Sequence, residues 1–596
     1  MTAGDAQEDN AVAHPIPHPA TTDLKPLPVP PLDETLDAYS HALGAVLHGS
    51  ELEHARAVVE SFRTGAGPRL DAQLRERASE REAAGTNWLN DEWYSSYLTT
   101  RSPLTLSSNV GFQLAFPAAG GADSAGDSSA DLDRAVDIIR RAATVHLAAA
   151  SDDTPEDVDG RGNRITMNQW FVYAGGIRHP DKGEDAVVAT QLGAANREIG
   201  VFVDGRLFAL PVSDADGVVV SAADLRAGLE KVRFHEAAAL DFNAPSLLGS
   251  GILADLLPAI LEQGDNRATY QRLTDMLFTV ELQSNGSATS SDAERIREAT
   301  FTPRGAWVYK PLSYLVDLDS DWVTVHVEHS CQDGATLVTA VTRMQDAELP
   351  AGASVDAKPA ELTWELDATT TQQITAHLET FKAQAGNLRT DIVTVPHSIP
   401  ADLPFKLSRD ASAQLTMTIA QQLTYGHVRA VYEAVDMREY RAGRTECLRA
   451  ATPEAVAFAE KLIDGTATPN DLTSALDAHR GWVKRCKSGN GVDRHIQMMA
   501  TIDDSPSSDP FFTDRAATAA RRDFLSTTSI GGANQVVRYC FAPTLPEGFG
   551  ISYTPLPDDA EFCISWNTDT AEQPGEFRAN IVKAAEMFWE FCEELS

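Results

Sequence analysis

A chain of 596 residues is too long for one ordinary core, so two or more domains are expected. The 43% hydrophobic and 23% charged residues are globular, and a formal net charge of −37 repels phosphate backbones and anionic headgroups, arguing against nucleic acid and membrane partners. Six cysteines without a CxxC pair exclude a zinc ribbon and point to reduced thiols in a cytoplasmic protein. Residues 1–23 are Pro-, Ala- and acid-rich, lack the basic start and apolar run of a secretory signal, and read as a disordered tail. From Leu24, LKPLPVPPLDETLDAYSHAL leads a stiff proline segment into a helix with Leu32, Leu36 and Tyr39 on one face. Ala118–Asp131 and Leu282–Asp292 are Gly/Ser/Asp-rich and read as surface loops. DRAVDIIRRAATVHLAAA has helical spacing, and GVFVDGRLFALPV reads as a hairpin about Asp204-Gly205. GSGILADLLPAIL, broken by Asp255 and Pro258, is too short to span a bilayer. WVTVHVEHS alternates like a half-buried strand. There is no internal repeat, and the class is α/β, with mixed sheets covered by helices.

Chemistry concentrates in VHVEHSCQDGATL, where a strand delivers His329 to its end and Asp333 and Gly334 follow in a loop. A histidine can take a proton from an alcohol near neutral pH, an acidic group four residues on can order it, and glycine permits a tight backbone path. The same pattern also describes a satisfied histidine at a strand end. Two other chemistries share the segment. His326, Glu328, His329 and Asp333 could ligate a metal, but the two histidines stand three apart on a strand and point to opposite faces, so no metal is expected there. Cys331 could act as a nucleophile beside His329 only through a special loop geometry.

The wider pattern resembles the carnitine/choline acyltransferase family along nearly the whole chain. PLPVPPLDETLDAY is similar to the family's N-terminal signature, and NWLNDEWYSSYLTTRSPLTLSSNVGF and MNQWFVYAGGIRHP to the blocks that follow. KPLSYLVDLDSDWVTVHVEHSCQDG resembles the histidine motif, and LSRDASAQLTMTIAQQLTYGHVRAVYEAVDMREYRAGRTECLRAAT the long ligand-binding block. VDRH, LSTTS and PEGFGISY complete the set. The resemblance implies two chloramphenicol-acetyltransferase-like α/β domains with the active-site tunnel between them. Residues 24–85 would form a helical segment packing with the C-terminal domain, 86–360 the catalytic-histidine domain and 361–596 the C-terminal acyltransferase domain. It also implies that His329 deprotonates an acceptor hydroxyl, which attacks the thioester directly without an acyl-enzyme. A non-catalytic binding protein is the bland alternative, and it would need loss of this base.

The residues matching the family's carboxylate-binding trio are Tyr432, Thr445 and Arg494, all of the types found in the carnitine enzymes, whereas the choline branch departs at the threonine and arginine positions. A guanidinium can clamp a carboxylate bidentately and two hydroxyls can complete its shell. Asp333 is expected to hold Arg494 in place. Phe541 matches the aromatic position for the trimethylammonium end. Ser529 in LSTTS matches the hydroxyl expected to donate to the developing oxyanion, with Thr528 the alternative because the motif is one residue longer than usual. Tyr539 falls at the end of the acyl tunnel, where a bulky side chain implies acetyl to short-acyl donors. At the donor end the match fails, because Ile399 and Leu403 stand where the family places a pair of coenzyme A-binding lysines. Lys406 and Asp410 remain for coenzyme A, although Asp410 is equally explained as a helix N-cap, and the distant Lys484, Arg485 and Lys487 cluster is a second source of positive charge. The resulting expectation is a monomeric carnitine O-acyltransferase of fatty acid metabolism with no cofactor beyond the acyl-CoA co-substrate. An acyl carrier protein donor or a choline acceptor is the alternative.

Overall fold

The computed structural model describes residues 11–12, 21–116, 128–233, 236–284, 290–397, 399–400 and 402–595. Most of the predicted tail and parts of both predicted loops lie outside them. Helix α1 (Leu32–Val46) follows the proline segment, with Leu36 and Tyr39 buried and Leu32 only half-buried. Helices Gly49–Thr64 and Gly67–Ala83 follow, then helix α2 (Asn90–Leu98) and helix α3 (Ser128–Ala150), α3 beginning inside the stretch expected to be loop.

The sheet strands are β1 (Val110–Leu114), β2 (Glu198–Val203), β3 (Arg206–Pro211), β4 (Thr279–Gln283), β5 (Leu312–Asp317), β6 (Val323–Val327) and β7 (Ala360–Leu362). They continue with β8 (Leu388–Pro396), β9 (Val431–Asp436), β10 (Thr445–Arg449), β11 (Leu525–Thr528), β12 (Val536–Cys540), β13 (Phe549–Pro555) and β14 (Asp559–Asn567). Of the two large mixed sheets, the first runs β7-β3-β2-β4-β5-β6-β1-β12 and the second β8-β14-β13-β11-β9-β10, while Ala11–Val12, Ala186–Val188 and Ile177–His179 form a small third sheet. Positive φ at Asp204 (49°) and Gly205 (79°) closes the β2–β3 hairpin, as the Asp-Gly pair requires. The strand read as half-buried, β6, is buried at every position, because helices cover both faces of the sheet there.

The two halves of the chain are interlocked. Strand β12 comes from the C-terminal half yet pairs antiparallel with β1, setting Tyr539 opposite Phe112. In the other direction, α1 packs into the core of the C-terminal sheet and its helices, where Tyr39 donates to the Ala517 carbonyl at 2.6 Å and the Thr35 hydroxyl meets His495 Nδ1 at 2.8 Å.

Under the first sheet, His146 of α3 is fully buried between the Tyr173 carbonyl (2.7 Å) and the Tyr314 hydroxyl (3.2 Å). Burial drives its pKa down to about 3, with Lys310 and Arg197 adding to the effect. The folded state therefore leaves this ring neutral where the unfolded chain protonates it, so its contribution to stability falls as pH drops below about 6.5. Each pH unit costs about 1.4 kcal/mol until the folded ring titrates. Denaturant melts of the wild type and His146→Gln between pH 7.5 and 4.5 should therefore converge as pH falls. Parallel pH profiles would show that the ring is not held neutral.

Candidate active site

A cavity of about 760 Å³ runs between the two sheets, and residues from both halves line it. His329 reaches it from the turn after β6. Its Nδ1 donates to the Gln332 carbonyl at 2.5 Å, which fixes the tautomer and leaves Nε2 as the basic nitrogen of a ring on the cavity wall. Tyr97 of α2 packs edge-on against the ring at 5.6 Å. Burial lowers the histidine pKa below its usual value and outweighs the opposing charge of Asp333. At neutral pH the ring is accordingly neutral, the form that accepts a proton.

The turn that carries His329 is held by groups distant in sequence. Asp333 stands at the N-cap of α4 (Gly334–Asp346), but its carboxylate turns away from the helix. It accepts Arg444 Nε at 2.6 Å and Nη2 at 3.0 Å, and Gln169 Nε2 at 2.8 Å, while its own N–H donates to Gln169 Oε1 at 2.7 Å. Arg444 also donates to the Ser330 carbonyl (2.8 Å) and the His329 carbonyl (3.3 Å). Burial pushes the Asp333 carboxyl up, yet the guanidinium beside it holds it below the ordinary carboxylate range. Neither Arg444 nor Gln169 was singled out from the sequence. Arg444 is the residue before Thr445, and its Asp333 partner is 111 residues away.

The expectation that Asp333 holds Arg494 is corrected by this pair, since Arg444 takes both carboxylate oxygens. Arg494, in the first turn of the helix Asp493–Ile502, donates instead to neutral groups: the Thr445 carbonyl (3.2 Å), Gln497 Oε1 (3.2 Å) and the Tyr432 hydroxyl (3.0 Å). Its guanidinium lies over Trp93, 4.6 Å from the ring centroid. Burial disfavours its charge, but Tyr432 and Glu446 nearby hold the pKa above the ordinary arginine value. Tyr432, Thr445 and Arg494 thus share the cavity wall with His329.

Ser529 and Thr528 line the cavity at the end of β11, and the Thr528 hydroxyl accepts Tyr539 Oη at 3.3 Å. Tyr539 is buried and stacked on Phe112 at 5.2 Å, with Phe541 beside it. All three aromatic rings line the cavity. Lys406 and Asp410 do not. Lys406 is exposed ahead of α5 (Arg409–Tyr425), and Asp410 lies in the first turn of that helix. The N-cap is Ser408, whose hydroxyl accepts from the Ala411 amide, so the capping explanation of Asp410 does not hold. In the 484–487 cluster, Lys487 pairs with Glu439 and Arg485 with Glu34.

The competing chemistries find no support. His326 faces away from the cavity, its ring bonded to the Ala299 carbonyl (3.1 Å) and Asn109 (3.0 Å), and burial lowers its pKa to about 4. Glu328 is tied to Arg178 at 3.0 Å and to the Ser330 hydroxyl at 2.5 Å. Burial pushes the Cys331 thiol up to about 12, which leaves it protonated and a poor nucleophile.

The chain matches the family described as Choline/Carnitine o-acyltransferase over residues 27–583. It is similar to the carnitine O-acetyltransferase of Homo sapiens, at 26% identity over 94% of this chain and 92% of that one. It is also similar to the choline O-acetyltransferase of Rattus norvegicus, at 25% identity over 91% and 88%. Among solved structures, the trichothecene 15-O-acetyltransferase TRI3 of Fusarium sporotrichioides aligns at 10% identity over 83% of this chain and 94% of that one, with a TM-score of 0.40.

Arg444→Met should be strongly destabilising, because it strands the Asp333 carboxylate without a cation in a buried site. Breaking one side of such a pair costs about 3–5 kcal/mol. Adding Asp333→Leu to Arg444→Met should recover much of that loss in denaturant melts. A single variant that melts like the wild type would show that the pair does not hold the turn.

Proposed function

The chain belongs to the choline/carnitine O-acyltransferase family and is an acyltransferase; from that premise we propose that it moves a short acyl group reversibly between coenzyme A and the hydroxyl of carnitine. His329 Nε2 takes the proton of the acceptor hydroxyl, and the alkoxide oxygen attacks the thioester carbonyl. The tetrahedral intermediate places its negative charge toward Ser529, which lines the same cavity as the ring. Collapse breaks the C–S bond, and the thiolate takes the proton back from the imidazolium. The thioester is a co-substrate, and the scheme uses no resident cofactor.

One observation carries the choice of acceptor: Arg494 lines the same cavity as His329, and its guanidinium bonds only neutral groups. A charged fork in a half-buried wall favours an anionic group on the ligand, and carnitine has a carboxylate where choline has none. Tyr432 and Thr445 stand beside the fork to complete its shell. The aromatic wall of Phe541 suits a trimethylammonium group, which can donate no hydrogen bond. The Tyr539 ring, stacked on Phe112, supports a pocket closed soon after the acyl carbonyl and hence acetyl or other short donors. Six free, buried cysteines agree with a reducing compartment such as the cytoplasm, and among the described residues no helix is long and apolar enough to cross a membrane.

A donor without the nucleotide, such as a phosphopantetheine arm on a carrier protein, is favoured by one feature. Ile399 and Leu403 stand where the family places its pair of coenzyme A-binding lysines, so fewer cations are at hand there to meet a nucleotide phosphate. Against it, the net charge of −37 also repels an acidic carrier, and coenzyme A remains the preferred donor.

Arg494→Ala should raise KM for carnitine strongly while changing choline turnover little. Losing a charged hydrogen bond costs about 1.5–3 kcal/mol, roughly ten- to a hundredfold in apparent affinity. Initial rates of thiol release with each acceptor test this, and equal losses toward both would make Arg494 a structural residue.

A further inference from the structure

On the far side of the C-terminal sheet from the cavity, three side chains from three elements converge. They are Asp410 from α5, Glu433 from β9, and His479 from α6 (Pro469–Lys487). One atom of each lies within 4.8 Å of the others, the one such cluster among the described residues. Glu433 neighbours Tyr432 and Ala434, which line the active-site cavity, so strand alternation turns it to the opposite face. The active site therefore makes no use of it.

The geometry of the cluster does not suit a hydrogen-bonded histidine. His479 Nε2 stands 3.5 Å from Asp410 Oδ2 and 3.9 Å from Glu433 Oε2, beyond hydrogen-bonding range. Both His479 Nε2 and Glu433 Oε2 are buried without a hydrogen-bond partner, in residues only 8% and 5% exposed. A protonated imidazole between two carboxylates would close to about 2.8 Å on at least one of them. The 3.5 Å spacing matches the edge of a tetrahedron whose centre binds each corner at roughly 2.0–2.2 Å, and the 3.9 Å spacing would close by a few tenths of an ångström around such an ion. The other carboxylate oxygens are already anchored. Tyr553 Oη lies 2.6 Å from Asp410 Oδ1 and also contacts Glu433 Oε1; its single proton is shared between the two carboxyl groups, and this contact leaves Oδ2 and Oε2 as the oxygens nearest His479.

We propose that Asp410, Glu433 and His479 form a site for a divalent transition-metal cation such as Zn²⁺, with Tyr553 fixing the two carboxylates. One imidazole and two carboxylates suit a borderline cation, and a fourth position remains for water or a ligand at the half-exposed Asp410 edge. Bound there, the ion ties helices α5 and α6 to strand β9 and neutralises two negative charges packed side by side.

The test uses the full chain, stripped with a chelator and titrated with Zn²⁺ alone, and reads metal stoichiometry and melting temperature rather than turnover, so its outcome is independent of the acyl-transfer reading. We expect one equivalent bound with a rise in melting temperature, and a Co²⁺ form with the intense visible bands of a tetrahedral site. Glu433→Gln, which keeps shape, and His479→Ala should each weaken binding tenfold or more, and Tyr553→Phe by about ten- to a hundredfold, as removal of a ligand-orienting partner does. Absence of binding at micromolar Zn²⁺ would overturn the proposal. Binding undiminished in Glu433→Gln and His479→Ala would do so too, by placing the ion on other groups such as the thiols.

Discussion

The site depends on one buried ion pair. Arg444 grips both oxygens of Asp333 and also the carbonyls of Ser330 and His329, so a single side chain from the C-terminal half shapes the turn that presents the histidine from the N-terminal half. The pair is almost wholly removed from water, with side chains 5% and 7% exposed, where such an interaction is strong if complete and costly if broken. Because the turn is fixed, the Gln332 carbonyl can hold His329 Nδ1–H and leave Nε2 basic. Without the pair, neither the tautomer nor the aim of the ring is determined.

The same pairing bears on the electrostatics around Arg494. Arg444 takes both oxygens of Asp333. Arg494 is left with neutral partners and the face of Trp93. A protein of net charge −37 keeps a guanidinium in this cavity wall that no carboxylate hydrogen-bonds, although Glu446 lies nearby. The interlocking of the halves, through β12 in the first sheet and α1 against the second, holds the facing walls in register.

How much of this was legible in the sequence follows from the range of each interaction. The hairpin at Asp204-Gly205 and the helix at Leu32–Val46 rest on local signals, and both are where the pattern put them. Strand parity speaks only for His326, which lies on β6; His329 stands in the turn beyond Val327, whose path parity does not fix. What the pattern could not supply was pairing across the chain. That Asp333 would take Arg444 rather than Arg494 depends on the packing of segments 111 residues apart, and adjacent residues in one motif give no means to choose. The orientation of Tyr539 likewise rests on the register of β12 with β1, which a one-residue shift would have reversed. Asp410 misled for a local reason: a Ser-Arg-Asp run offers two capping residues, and the serine takes the cap.

The most direct test of the central claim is free-thiol release from acetyl-CoA, measured for the wild type and His329→Ala with carnitine and with choline. The account predicts rapid wild-type turnover with carnitine, little with choline, and a loss of about 10²–10⁴-fold in a folded His329→Ala protein. A variant that retained more than about a tenth of the wild-type rate, or a wild type that preferred choline, would contradict it.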